Sequence, residues 1–203
     1  MNPTRGAATN RRDTVQHNGT VTDHSAMGFV RDATAADAAV IASIQSACWH
    51  AAYGQTWPAE VFDSLSAQDL EMQWARAVIA PPGPGYRLLV ATEGDQVVGF
   101  AALAPSEDPD AQVGEAEIVA WEVRPEHRRS GHGGRLLNAA ADHARSIGAH
   151  TLTIWLAPED EARRSLLASA GFGPDGAHRE VALTDGWADS PVTMRQVRLL
   201  AGL

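Results

Sequence analysis

Residues 123–137 run Val-Arg-Pro-Glu-His-Arg-Arg-Ser-Gly-His-Gly-Gly-Arg-Leu-Leu: the end of an apolar stretch, a proline, a basic glycine-bearing turn and the opening of an amphipathic segment. No other part of the chain restricts the fold as much. Pro125 cannot donate to a sheet ladder, so a strand must stop there. Gly131, Gly133 and Gly134 remove side chains where a ligand would have to approach backbone, and the N–H groups of a first helical turn have no intrahelical acceptors. Those donors suit an anion, and a diphosphate could use several at once. A tight strand-to-helix turn with no ligand would use the same glycines, so the surroundings must decide. Arg124, Arg128, Arg129 and Arg135 fall within 12 positions, while residues 88–123 hold eight acidic residues and no Arg or His. Such segregation of charge exceeds what solubility alone requires.

All 16 basic residues are arginine. A chain without lysine cannot carry a Walker-type phosphate loop, a Schiff-base lysine or a pyridoxal-phosphate anchor. A formal charge of −9 argues against a protein that coats nucleic acid. Cys48 is the single cysteine, no CxxC exists, and the 8 histidines are scattered rather than paired at ligand spacing, so no metal is expected. The absence of a long apolar run predicts a soluble, cytoplasmic chain with no membrane partner. A dinucleotide-binding fold would use the same helix end, but it needs a third glycine where Leu136 stands, and here two antiparallel-looking strands come first.

The 203 residues, 44% of them hydrophobic, suffice for one core-bearing domain. Residues 1–27 lack apolar periodicity and predict a disordered tail ahead of a domain at 28–203. A short strand at 29–31 precedes Thr34 and Asp37, spaced as a capping box. The helix that follows, to about position 50, buries Ala38, Ile41, Ile44, Ala47 and Cys48, so Cys48 reads as a small core side chain rather than a nucleophile. Ser66 and Asp69 repeat the capping signature for a helix through Leu70, Trp74 and Val78, stopped by the Pro/Gly run at 81–85. Strands follow at 88–92 and 96–104, joined at Glu93-Gly94-Asp95, and at 115–123. A helix carrying Leu136, Leu137, Ala140, Ala141, Ala144 and Ile147 on one face ends at Gly148. A strand at 151–156, a helix from about 160 to 170, and strands at 178–184 and 192–200 complete an α/β domain with a mixed sheet.

Arg128-Arg129-Ser130-Gly131-His132-Gly133 resembles the Gln/Arg-x-x-Gly-x-Gly/Ala signature of the GCN5-related N-acetyltransferase (GNAT) superfamily. Residues 31–37 resemble that family's first strand and helix start, and 49–57 its helix-one region. Gly171-Phe172 stand where the family's Gly-Phe pair follows its fourth helix, so the likeness covers 28–200. It implies a mostly antiparallel sheet flanked by helices and splayed open between the strands at 115–123 and 151–156, with acetyl-CoA, the donor co-substrate, in the wedge. The pyrophosphate would rest on the amides of 129–135, making Arg128, Arg129, Ser130, Gly131, His132, Gly133, Gly134 and Arg135 the expected cofactor contacts, with His127 beside them. The pantetheine arm would pair with Trp121, Glu122 and Val123, where a main-chain N–H would polarise the thioester carbonyl. Asp160 stands where the family often has Asn. The activity implied is direct transfer of the acetyl group, in a ternary complex, to a primary amine of a small cationic molecule or a peptide. Proteins similar to it commonly form homodimers.

Attack on a thioester requires a neutral amine, hence a base. Glu117, 11 residues before Arg128 in an Ala-Glu-Ile-Val run, matches the catalytic glutamate of histone-type members of the family. Strict alternation would set Glu115, Glu117, Val119 and Trp121 on one strand face and Glu122 on the other. Glu115 and Glu117 could instead recognise a cationic substrate or simply be solvated. The family's usual proton donor, a tyrosine, is replaced by Leu167, which leaves water, Ser165, Ser169 or unaided departure of the thiolate. The same departure motivates a second reading, an acyl-CoA-binding regulatory module with little turnover. Trp49, Tyr53 and Trp57 fall where the family walls its acceptor pocket; packing and a cage for a cationic amine are both open to them. His50 is either a second base or a helix-end residue.

Overall fold

The structure is a computed structural model that describes residues 28–64, 66–183 and 192–203. The expected tail at 1–27 and position 184 of an expected strand lie outside the described residues. Among the described residues seven strands, β1 (Gly28–Asp32), β2 (Arg87–Glu93), β3 (Gln96–Pro105), β4 (Glu115–Val123), β5 (Thr151–Leu156), β6 (Gly173–Ala182) and β7 (Thr193–Gly202), form one sheet ordered β1-β2-β3-β4-β5-β7-β6. The apolar runs of β2 and β3 are buried on both side-chain faces, as expected of strands covered by helices above and below.

Every pairing is antiparallel except β4 with β5. That parallel register begins at Glu115 and Thr151 and stops at Ile118 and Ile154, although β4 continues to Val123 and β5 to Leu156. The sheet therefore opens between them, as the resemblance implied.

Helices α1 (Ala38–Tyr53), α2 (Ala59–Asp63), α3 (Ala67–Ile79), α4 (His132–Ser146) and α5 (Glu161–Ser169) supply the two covers. On one face Ile41, Ile44, Cys48, Leu70 and Trp74 pack with Val90, Phe100 and Ala102. On the other, Leu136, Leu137, Ala140, Ala144 and Leu167 pack with Leu89, Ala101, Ile118, Leu152 and Ile154. Cys48 is buried, as its place on the apolar face of α1 required. Among the described residues no helix is long and apolar enough to cross a membrane.

The helix entry after β1 is tied by ions as well as by its cap. Both Arg31 Nη atoms donate to the Asp37 carboxylate at 2.8 Å, and Thr34 N and Oγ1 donate to Asp37 Oδ2 at 2.7 and 2.8 Å. A 3₁₀ turn, Ala35–Asp37, forms before α1. α1 runs past position 50 to Tyr53, and α2 is a short turn the sequence did not announce. β6 starts at Gly173, earlier than expected, because it pairs with β7 on both sides of an irregularity between Pro174 and His178. The Gly-Pro-Asp-Gly composition of that stretch reads as a turn; only the partner strand makes it part of the sheet.

One irregularity corrects the expected face assignment on β4. Ala102 pairs with Ala120 and Leu103 with Ile118, so Val119 is an extra residue, a bulge. Beyond it the alternation inverts. Glu117, Ala120 and Glu122 share the face of Phe100, Ala102 and Ala104, while Trp121 joins Ala116 and Ile118 on the opposite one. Trp121 and Glu117 therefore do not share a face, and Glu117 and Glu122 do.

Candidate functional site

Chain geometry after β4 follows from its proline and glycines. Pro125–His127 makes a single 3₁₀ turn, Arg129 takes a positive φ of 66°, and Gly131 caps α4 at φ 82°. The left-handed conformation at Gly131 is one that a Cβ would strain. With α4 starting at His132, the N–H groups of its first turn have no intrahelical acceptors. A Cβ added at Gly134 would have nothing within 4 Å, so the glycine keeps open space beside those amides.

This turn forms one wall of a cleft of about 550 Å³ along the end of β4 that no longer pairs with β5, between α1 and α5. Arg128, Arg129, Gly131, Gly133 and Gly134 line it from the turn, and Trp121, Glu122 and Val123 from β4. Trp49 and Tyr53 of α1 face Asp160, Arg163 and Ser165 at the start of α5 across it. The expected cofactor contacts thus converge, with three exceptions by side chain. Ser130 is exposed outside the lining. The Arg135 guanidinium turns to Ser130 O and the His132 ring. The His132 ring is buried, 3% exposed, and turned into the protein, leaving only its main chain to the turn. Arg124 likewise turns away, to Ser43 Oγ of α1 at 3.2 Å.

The open edge of β4 is already held by side chains. Val123 O accepts from Arg128 Nε at 3.1 Å and from the Cys48 thiol at 3.3 Å, and Trp121 O accepts from Arg163 Nη1 at 3.3 Å. Burial, with help from the Glu122 charge, pushes the Cys48 thiol up to about 12, which removes it as a nucleophile at neutral pH. Arg163 also binds Glu122 at 3.2 Å and the carboxylate of Asp160, which in turn caps α5 by accepting from Arg163 N. Burial opposes a charge on Arg163, but Glu122 and Asp160 outweigh it and hold the guanidinium ionised. Burial pushes the Glu122 carboxyl above its usual value. The sequence reading did not single out Arg163, because an Asp-x-x-Arg pair at a helix start looks like ordinary surface charge until β4 is set beside it.

Glu117 is buried, 8% exposed, and lines a second cavity of about 380 Å³ with Glu107, Asp108, Arg179, Tyr86 and Trp74. Its rung on β4 is one before the last that pairs with β5. Burial pushes its carboxyl up; Arg179, with Nη2 4.0 Å from Glu117 Oε1, opposes this, and Asp108 and Glu107 add to it. The acid-only stretch 88–123 is not a bare negative surface. Arg198 binds Asp108, Asp110 and Asp175 at 3.1, 2.6 and 2.7 Å, and Arg179 lies over the Trp155 ring at 4.4 Å. Both arginines come from the last strand pair, far along the chain.

Of the residues expected on the acceptor side, Glu115 lines neither cavity. Trp57 stands behind the cleft, its ring stacked on Tyr53 at 4.1 Å and edge-on to Trp49 at 6.4 Å. His50 is spent on packing: its ring lies 4.2 Å from that of Phe62, and its Nδ1 is 2.8 Å from Ser46 O. Leu167, at the family's tyrosine position, is fully buried in the core. The hydroxyls that do line the cleft are those of Tyr53, Ser165 and Ser169, and Ser169 is bound to Leu166 O at 2.6 Å.

Comparison with known proteins agrees with this geometry. The acetyltransferase (GNAT) family model matches residues 40–172. Over 173 residues the chain is 28% identical to an L-amino acid N-acyltransferase of Escherichia coli, covering 84% of this chain and 93% of that one. It is 37% identical over 84 residues to a mycothiol acetyltransferase of Kineococcus radiotolerans, a match spanning 41% of this chain but only 26% of that protein. Among solved structures, an N-acetyltransferase of Thermoplasma acidophilum in complex with coenzyme A superposes with a TM-score of 0.65 at 16% identity, covering 87% of this chain and 99% of that one. An acetyltransferase of Salmonella typhimurium with acetyl-CoA gives 0.63 at 24%, covering 87% and 94%. At these identities the structural likeness speaks for the fold.

Proposed function

Since the chain belongs to the acetyltransferase (GNAT) family, we propose that it moves the acetyl group of acetyl-CoA to a primary amine that enters beside Glu117. The observation that carries the reading is the pairing of two cavities along β4. One is lined by Arg128, Arg129 and the glycines at the start of α4, and the other contains a buried carboxylate one rung before the sheet parts.

The residues present fit the donor. The first-turn amides of α4, with Arg128 and Arg129, offer charge-assisted hydrogen bonds to a pyrophosphate. The open edge of β4 at Trp121, Glu122 and Val123 offers main-chain groups to an amide-bearing arm; Trp121 O accepts from Arg163 and keeps a second lone pair, whereas Val123 O already accepts from both Arg128 and Cys48 and takes a new donor only by displacing one of them. An N–H on that edge would stabilise the oxyanion formed when the amine adds to the thioester carbonyl.

Glu117 takes the proton from the ammonium, directly or through water, and its raised proton affinity suits a base working near neutrality. The neutral amine then forms the new C–N bond as the C–S bond breaks, and the thiolate leaves with a proton. Tyr53 is the phenol of the donor cleft, the chain's other tyrosine, Tyr86, lining the second cavity. We assign Tyr53 as the proton donor in place of the tyrosine that Leu167 replaces, with Ser165 a second hydroxyl lining the same cleft. A silent acyl-CoA-binding module loses its motivation once a hydroxyl is available, and the relatives named above are transferases.

The Glu117 cavity carries both signs of charge, Glu107, Asp108 and Glu117 against Arg87 and Arg179. That favours a small amine with an anionic group over a polycation, in keeping with the relative named for L-amino acids. The test is release of CoA thiol from acetyl-CoA with a panel of amino acids, polyamines and peptides. Release that depends on an α-amino acid supports the reading. Coenzyme A binding by calorimetry with no amine-dependent release from any member refutes it.

A further inference from the structure

Three residues that the chain keeps apart meet beneath the phosphate-binding turn. Glu93 ends β2, His127 ends the 3₁₀ turn, and His132 opens α4. His127 Nδ1 lies 2.7 Å from Glu93 Oε2, and His132 Nε2 lies 3.9 Å from the same oxygen. All three ligand atoms fall within 4.8 Å of one another. The His132 nitrogen is the telling one: it is buried, aimed at a carboxylate, and has no hydrogen-bond partner. A buried polar atom left in that state is costly unless something else occupies the gap.

We infer that Glu93, His127 and His132 form a site for a divalent transition-metal ion of the zinc class, closed by water. Two imidazoles and one carboxylate are the donor set such ions take. Bonds of about 2.0–2.2 Å set tetrahedral ligands about 3.3 Å apart. The two distances to Glu93 Oε2, 2.7 and 3.9 Å, straddle that spacing, so small side-chain adjustments suffice. The ion would take the place of the proton now shared by His127 and Glu93.

Arg135 faces the site as well, with Nη1 3.5 Å from His132 Nδ1. A metal at Nε2 puts the proton on Nδ1, so the exposed guanidinium must swing outward, and its charge weakens affinity without blocking the ligands. His127 also lines the donor cleft. The ion would thus pin the β2–β3 hairpin to the turn and fix one cleft side chain. The fold brings together two histidines that the sequence spacing left apart, and a metal held there would depart from the expectation of none.

The test uses full-length, tag-free protein with His17 and His24 replaced by Gln, stripped with chelator and titrated with zinc chloride. One ion per chain is expected, with the unfolding midpoint raised by about 5 °C at a hundredfold excess over Kd. Cobalt(II) should give the visible absorption of a four- or five-coordinate site. Glu93→Gln and His127→Gln should each weaken zinc binding at least about tenfold, whereas the exposed His178→Gln leaves it unchanged. His132→Gln is not relied on, because that buried ring is also part of the fold. Binding below about half an ion per chain, or parental affinity in both the Glu93 and His127 variants, overturns the site.

Discussion

Replacing Arg179 with glutamine should move the ascending limb of the pH–rate profile to higher pH. In the folded protein, burial, Asp108 and Glu107 all disfavour the Glu117 carboxylate, while Arg179 and, less strongly, Arg198 favour it. The Arg179 Nη2 to Glu117 Oε1 distance is 4.0 Å. At that separation two unit charges attract by about 1 kcal/mol in water and about 4 kcal/mol at an effective dielectric constant of 20. The Arg179 side chain is 39% exposed, which places the pair toward the water end of that range. A loss of about 1 kcal/mol raises the limb by about 0.7 of a pH unit. The assay is the initial rate of CoA thiol release at subsaturating amine from about pH 5 to about pH 9, following the lower ascending inflection. Thermal unfolding at each pH guards against a folding defect, since Arg179 also packs on Trp155. Glu117→Gln should abolish that inflection and lower kcat/KM by about 10²- to 10⁴-fold. An inflection that stays put in the Arg179 variant, moves downward, or survives in the Glu117 variant would refute the assignment of Glu117 as base.

A raised carboxyl also costs stability where it is ionised. Its contribution is intact below the unfolded-state value of about 4.3 and lost as pH rises through the folded value, so Glu117→Gln should melt above the parent at pH 7, with the gap closing in acid. Gly134→Ala has free space for its methyl and adds helix propensity, so the free protein should melt no lower, while coenzyme A affinity by calorimetry falls at least about tenfold; unchanged affinity would place the pyrophosphate elsewhere. Hydrogen bonds from Arg31 hold the Asp37 carboxyl well below the usual range. That stability is present above about pH 4 and lost as pH falls; Asp37→Asn should cost about 1–2 kcal/mol at pH 7 and progressively less in acid, read by urea titration, with Arg31 half exposed setting the modest size. Cys48 should not react with a thiol reagent at pH 7.5 until the chain is unfolded, and immediate labelling of the native protein would contradict its burial.

The turn after β4 was legible because everything that makes it is contiguous: Pro125 ends a strand, Gly131 supplies the left-handed residue, and the next N–H groups are free by helix geometry alone. For the same reason the strands with continuous apolar runs and the capped helices stood near their expected places. Local rules do not reach the rest. The Val119 bulge exists because β3 offers one residue fewer opposite β4, and it alone decides that Glu117 shares its face with Glu122 rather than Trp121. Arg163 and Arg179 acquire roles only when α5 crosses the wedge and β6 folds back over the acidic loop. Glu93 meets His127 and His132 because a hairpin tip packs under a helix start. Sequence alone determined most of the elements and the glycine-bearing turn with its free amides, since both follow from neighbours along the chain. Which carboxylate faces which cavity, and which cation meets it, was decided by pairings between distant strands, where one inserted residue reverses every side chain that follows.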